Sequence, residues 1–185
     1  MTLLELKKKT LGLIEELSPD HPLLTEDPDI ATKFNDVANQ RMFEVIRIKK
    51  LPKYVEMEVS KGDLVDFAGI EAAVGYEVYQ LGKVGGAAYE PKADGTVLKV
   101  MEDGTLEVNC YVYPEQITAS TKDNYEFELP ADVLEILPYG IAADLLKSDV
   151  SAEYGSIYAT EYEKLLNRLD PRYAMTSVYI EGGVL

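Results

Sequence analysis

"ELPADVLEILPYGIAADLLKSD", residues 128–149, is built almost wholly from good helix formers, yet Pro138 stands near its centre. Inside a straight helix a proline removes one backbone donor and clashes with the carbonyl four residues back, at a cost of about 3 kcal/mol. Val133, Leu134, Leu137, Ile141, Leu145 and Leu146 nevertheless share one apolar face across both sides of it. Both halves therefore serve one core. The stretch predicts a helix that kinks at Pro138, or a short helix stepping into a second, with Pro130 in the first turn. Nothing in it is chemically reactive, so its meaning is architectural.

Helical chemistry continues on either side of this stretch. A last helix begins near Ser151 or Ala152, places Tyr154, Tyr158, Tyr162, Leu165, Leu166 and Leu169 on one face, and ends at "LDPR". At the other end of the chain Thr2 and Glu5 form a capping box. Leu3, Leu6, Leu13, Ile14 and Leu17 follow at helical spacing, which predicts a helix from about Leu3 to Leu17. Asp27 is placed as the N-cap of a second helix and Pro28 as its first residue. Ile30, Phe34, Val37, Arg41, Met42, Val45 and Ile46 then run along one stripe, and "RIKK", residues 47–50, sets positive charge at the negative end of the helix dipole. Four such faces can cover one another, so residues 1–51 and 129–170 are expected to form a four-segment helical bundle.

Between these halves the period changes from 3.6 to 2. In "YVEMEVS", residues 54–60, Val55, Met57 and Val59 face one way while Glu56 and Glu58 face the other. "YEVYQL", "GAAYE", "GTVLKVM", "TLEVNCYVY" and "NYEFEL" are further strand candidates, and the "EDG" turn at residues 102–104 is expected to close a hairpin. The expected class is α+β, a helical bundle with an antiparallel β-sandwich or barrel-like insertion over residues 52–128. Residues 171–185 form a C-terminal arm.

The net charge of −15 is uneven: residues 1–50 hold eight basic and nine acidic side chains, residues 51–130 six and fifteen, and residues 131–185 four and nine. A polyanion would be repelled, so a basic nucleic-acid footprint is not expected. The acidic excess reads first as a solubilising surface. No apolar run approaches the roughly 20 residues that cross a bilayer, and the lysines of "MTLLELKKKT" follow its leucines, unlike a signal peptide. A soluble, unexported protein is expected. The single Cys110 lies in an alternating run where a small buried hydrophobe belongs, which fits a reducing cytoplasm.

Reactive constellations are sparse. His21 sits alone in a Pro-flanked loop, and the glycines of "KVGGAAYEPKADG" lack the Lys-Ser/Thr pair of a phosphate loop and read as turns. The acidic pairs Glu56 with Glu58, Asp63 with Asp66, and Glu102 with Asp103 could act as acid and base only if they faced a cleft, and each reads as a solvated face or a turn. "PKADG" and "MEDG" lack the spaced oxygen ligands of a calcium loop. No catalytic residue, cofactor site or metal site is expected. The aromatic usage is skewed, with 13 Tyr, no Trp, and six of the tyrosines after residue 138. Tyr suits surfaces dry on one side and wet at the rim, so Tyr154, Tyr158 and Tyr162 are candidates for a subunit interface.

The segment from Leu129 to Val184, "LPADVLEILPYGIAADLLKSDVSAEYGSIYATEYEKLLNRLDPRYAMTSVYIEGGV", resembles the C-terminal half of head-to-tail adaptor (connector) proteins of tailed bacteriophages. In that family a "LPYGIA-DLL-SD" helix precedes a "Y-S-IYA--YE--L-RLDPR" helix. The resemblance implies a noncatalytic virion protein, made in the host cytoplasm, that assembles typically as twelve copies into a ring beneath the portal. Such a ring surrounds the DNA channel without sequence-specific binding and carries the next neck or tail component. It implies further that the arm reaches into the portal protein, with Arg172, Tyr173, Val178, Tyr179, Ile180, Val184 and Leu185 as its contact residues. The smaller adaptors of the class lack so large a β insertion. A second reading from the residues alone is a small acidic enzyme or carbohydrate-binding module with its ligand site in the β region, a reading weakened by the absence of Trp.

Overall fold

The computed structural model describes residues 1–14, 28–148 and 152–169. Asp27, Leu17, His21, Ser151 and the arm from residue 170 lie outside the described residues, as does the side chain of Ile30. The chain is α+β. It divides into two compact units: Met1–Lys49 with Gln116–Leu185, which is helical, and Lys50–Glu115, which holds the sheets. No described helix is long and apolar enough to cross a membrane.

The helical unit begins with α1, Leu3–Leu13, whose capping box is formed in both directions: the Thr2 hydroxyl accepts from Glu5 N at 3.2 Å, and the Glu5 carboxylate accepts from Thr2 N at 2.8 Å. Two further first-turn donors, Leu3 N and Leu4 N, are met by the carbonyls of Tyr125 and Asp123, each at 2.9 Å. Tyr125 belongs to "NYEFEL", residues 124–129, and Asp123 stands immediately before it. The stretch is therefore not a sheet strand: apart from the single bridge Thr2–Glu126, its Tyr125 carbonyl serves an orphan donor of α1 and its Phe127 N–H the Met1 carbonyl. This is also why the helical unit resumes at Gln116 and not near residue 129. Asn39 clasps the incoming chain, giving its side-chain N–H to the Ile117 carbonyl and accepting from Ile117 N, both at 2.8 Å.

Helix α2, Pro28–Lys49, starts at its proline and ends with Arg47 and Lys49 in the last turn. Phe34, Ala38, Met42, Val45 and Ile46 are buried along one stripe. Helix α4, Ala131–Leu145, follows Pro130 as its N-cap and runs unbroken through Pro138; it is one helix, not two. Its burial goes beyond the expected single face. Ile136, Pro138, Gly140, Ala142 and Ala143 are buried along with Val133, Leu134, Leu137, Ile141 and Leu145. A helix that is apolar nearly all round is a central helix, and α1, α2 and α5, Ala152–Leu169, pack on it.

The sheet unit contains β1 (Pro52–Val59), β2 (Leu64–Asp66), β3 (Val78–Gly86), β4 (Tyr89–Lys92), β5 (Val97–Val100) and β6 (Gly104–Val112), with helix α3 (Phe67–Val74) after β2. The strands form two antiparallel sheets, in the orders β1-β6-β3 and β2-β5-β4. Alternation in β1 is as expected, with Val55, Met57 and Val59 turned toward the core and Glu56 and Glu58 exposed. Leu98 and Val100 of β5 share that core with Leu106, Val108, Cys110 and Val112 of β6. The "EDG" turn does not close a hairpin. Strands β5 and β6 belong to different sheets, and residues 101–103 carry the chain between them. The true hairpin lies one connection earlier, β4 to β5 through Ala93–Gly95, with Lys92 opposite Val97.

Phe34 is 4% exposed on the inner face of α2. Truncation to Ala leaves a cavity among neighbours that cannot all collapse. Phe34→Ala is expected to cost about 3–5 kcal/mol in a denaturant titration; a loss near zero would mean that the ring is not packed.

Candidate functional site

Two features of the helical unit stand out: a polar cluster embedded between α2, α4 and α5, and a groove between α1, α4 and α5. The cluster centres on Arg41, which lies within the apolar stripe of α2. Its Nε donates to Asp144 Oδ2 at 2.6 Å and its Nη1 to Glu44 Oε2 at 2.6 Å. The Tyr162 hydroxyl donates to the same Glu44 oxygen at 2.8 Å, and the guanidinium lies 4.9 Å from the centre of the Tyr162 ring. Lys147 completes the set, its Nζ 2.5 Å from Asp144 Oδ1. Burial pushes the Asp144 carboxyl upward, but the Arg41 and Lys147 partners outweigh it and hold the group below its usual range. Burial, reinforced by the Glu44 hydrogen bond, pushes Tyr162 above its ordinary value, so its hydroxyl remains a donor.

Tyr162 can sit so close to α4 because Gly140 faces it. A Cβ on Gly140 would lie 2.7 Å from Tyr162 Cε2. The "PYG" of α4 and the third tyrosine of α5 are thus two sides of one contact. The three tyrosines proposed as interface residues occupy different environments. Tyr162 is 3% exposed and covered by its own chain, Tyr158 is half-buried with its hydroxyl donating to the Leu13 carbonyl, and Tyr154 is 63% exposed beside Ile157 at 60%. Tyr154 and Ile157 are the ones that face outward. The arm residues Arg172, Tyr173, Val178, Tyr179, Ile180, Val184 and Leu185 lie outside the described residues.

The groove has a volume of about 440 Å³. Leu13, Pro138, Tyr139 and Leu165 give it an apolar lining, and Lys9, Glu135 and Glu161 add charge. Pro138 contributes the carbon of its ring to this lining. The arrangement can hold a few apolar side chains. It offers no nucleophile paired with a base.

In the sheet unit the acidic candidates all have structural work. Glu56 accepts from the Tyr54 hydroxyl at 2.7 Å, which pushes that phenol up to about 12, and Glu58 accepts from Thr105 at 2.8 Å. Asp63 accepts from Ser60 N at 2.8 Å, and Asp66 caps α3 by accepting from Gly69 N at 2.9 Å. Glu102 and Asp103 accept from Ala88 N and Lys61 N at 3.0 and 2.7 Å, which anchors the crossing between sheets. Among the described residues no group of three or more His, Cys, Asp or Glu is placed to hold a metal ion. Cys110 is fully buried in the β core, and that burial raises its thiol.

The Arg41 cluster had one legible signal in the sequence, a cation within an apolar stripe; its partners Asp144 and Tyr162 are more than 100 residues away and gave none. Gly140→Val is expected to destabilise the protein by about 1–3 kcal/mol, because the Tyr162 ring is tied at its hydroxyl and cannot swing clear. An unchanged denaturant midpoint would show that the contact yields. The Asp144 carboxyl is below its unfolded value of 3.8 when folded, so its contribution to stability is full above that value and lost as pH falls through the folded value. Asp144→Asn should therefore lower the thermal midpoint at pH 7 and make its decline between about pH 5 and 2 shallower than in the wild type; parallel declines would refute this. Compared with known proteins, the chain matches no protein-family model and no curated sequence.

Proposed function

We propose that the chain is a noncatalytic assembly protein of the phage head-to-tail adaptor class, a ring component that joins the portal to the next neck or tail protein around the DNA channel. The observation that carries this reading is the resemblance of residues 129–184 to the C-terminal half of such adaptors. Two features support it. The segments bearing the resemblance are α4 and the helix that follows it, and their shared positions, Gly140 and Tyr162, meet in one tight contact. A motif of that kind specifies packing, and packing is what a ring subunit must reproduce identically in every copy. The paired carboxylates of the sheet unit, each engaged in a turn, cap or strand contact, also suit a scaffold.

In this reading the arm supplies the portal contact through Arg172, Tyr173, Val178, Tyr179, Ile180, Val184 and Leu185, while Tyr154 contributes to the contact between neighbouring copies and the β unit offers its surface to the next component. An acidic lining lets DNA pass without adhering. The direct test mixes the purified full chain with purified portal rings and images the product by electron microscopy. A collar of chains stacked on the portal is expected, and it should vanish when residues 173–185 are deleted. Bare portals beside unassembled chains would overturn the proposal.

A further inference from the structure

We infer that the groove between α1, α4 and α5 is a docking site for the chain's own segment 170–185, taken up in cis. The groove is ready to receive apolar side chains: Leu13, Pro138, Tyr139 and Leu165 line it, and its volume of about 440 Å³ accommodates a few residues and not a whole strand. Helix α5 delivers the segment to its edge. The helix ends at Leu169, four residues beyond the groove-lining Leu165, or about 6 Å along the axis. Pro171 disfavours helical continuation through Asp170. Three residues of extended chain reach about 10 Å, enough for residues 170–172 to turn the chain back alongside α5.

Charge decides which occupant fits. Two stretches adjoin the groove-lining helices, residues 15–27 after α1 and residues 170–185 after α5. The first carries five carboxylates, Glu15, Glu16, Asp20, Glu26 and Asp27, with no Lys or Arg, and would bring them toward Glu135 and Glu161. The second brings Arg172 to those same carboxylates, followed by Tyr173, Val178, Tyr179 and Ile180 for the apolar lining. It carries two carboxylates, Asp170 and Glu181, and Lys9 stands at the groove as a partner for one of them. The inference does not rest on the adaptor reading. If both hold, the arm must leave this groove before it can enter a portal, and the groove sets a threshold on assembly.

The test uses the full chain with a benzoylphenylalanine photocrosslinker in place of Tyr179, irradiated as an equal mixture of ¹⁵N-labelled and unlabelled protein, with the products read by mass spectrometry. Crosslinks within one isotopic species, to peptides containing Leu13, Pro138 with Tyr139, or Leu165, are expected. Leu165→Glu should reduce their yield about tenfold. The double reversal Glu135→Lys with Glu161→Lys should also reduce it; these changes touch charge at the groove and leave its apolar lining intact, and circular dichroism checks the fold of both variants. Crosslinks that mix the isotopes would mean that the groove receives a second copy. Crosslinks to other peptides, or none, would overturn the proposal, as would a probe at Leu23 that reaches the groove in place of the one at Tyr179.

Discussion

Helix α4 has almost no wet face, and the rest of the helical unit follows from that. Ten of its fifteen residues are buried, so it cannot lie on a surface and must be wrapped. Helices α1 and α2 each bring one apolar stripe, and α5 brings a glycine and a tyrosine to the contact. Small residues make the wrapping close: Gly140 gives way to the Tyr162 ring, and Gly155 of α5 lies where a Cβ would meet Leu146 at 3.2 Å. Pro138 is tolerated within this helix because its side chain is buried among packed neighbours and repays part of the lost backbone bond with apolar contact.

The sheet unit reaches stability by a different route. Neither three-stranded sheet is large enough to stand alone, but the side chains of both fill one core, from Val59 and Val65 through Val112. The connections are then constrained to cross between sheets, and the backbone donors exposed at those crossings are met by the carboxylates of Asp63, Glu102 and Asp103. One position shows how tight the assembly is: Gly86 takes φ 79°, and a Cβ there would lie 2.1 Å from the Thr105 carbonyl oxygen. Much of the acidity of this region is thus structural. On the outer face, Glu56 and Glu107 stand directly opposite each other across β1 and β6, a repulsion accepted where water screens it.

What the sequence disclosed and what it hid divide along physical lines. Periodicity is a local property, and it gave α1, α2, α4 and α5 and the longer alternating strands with their inner faces, but not the three-residue β2. Pairing is not local. The two turn signals "EDG" and "ADG" look alike, and which one closes a hairpin depends on how the strands divide between two sheets. "NYEFEL" alternates like a strand, but its Tyr125 carbonyl, with that of Asp123 just before it, is claimed by the N-terminus of α1 across more than 100 residues of chain. Helix α3 was legible and is absent from the sequence reading: Asp66 caps it and Gly75, at φ 79°, ends it, the ordinary signals at both ends of a helix. Its eight residues fell among strand candidates and lacked the length that makes a helical period visible. The groove could not be read at all, since its lining comes from three separated helices.

The Arg41 cluster bears on why these helices adopt one arrangement and not several. An ion pair largely removed from water gains little net free energy, because the desolvation of both charges offsets their attraction. Its asymmetry is what counts. With all partners in place the guanidinium fork is met by Asp144 and Glu44 and roofed by the Tyr162 ring. Sliding α2 by one turn against α4 would carry Arg41 about 5.4 Å along the axis, out of reach of Asp144, and leave each with only its local partner, Glu44 for Arg41 and Lys147 for Asp144. The cluster therefore fixes register where hydrophobic burial supplies stability. Its three helices contribute in separate ways: α2 the cation and Glu44, α4 the Asp144 carboxylate, and α5 the ring that covers the guanidinium and donates to Glu44.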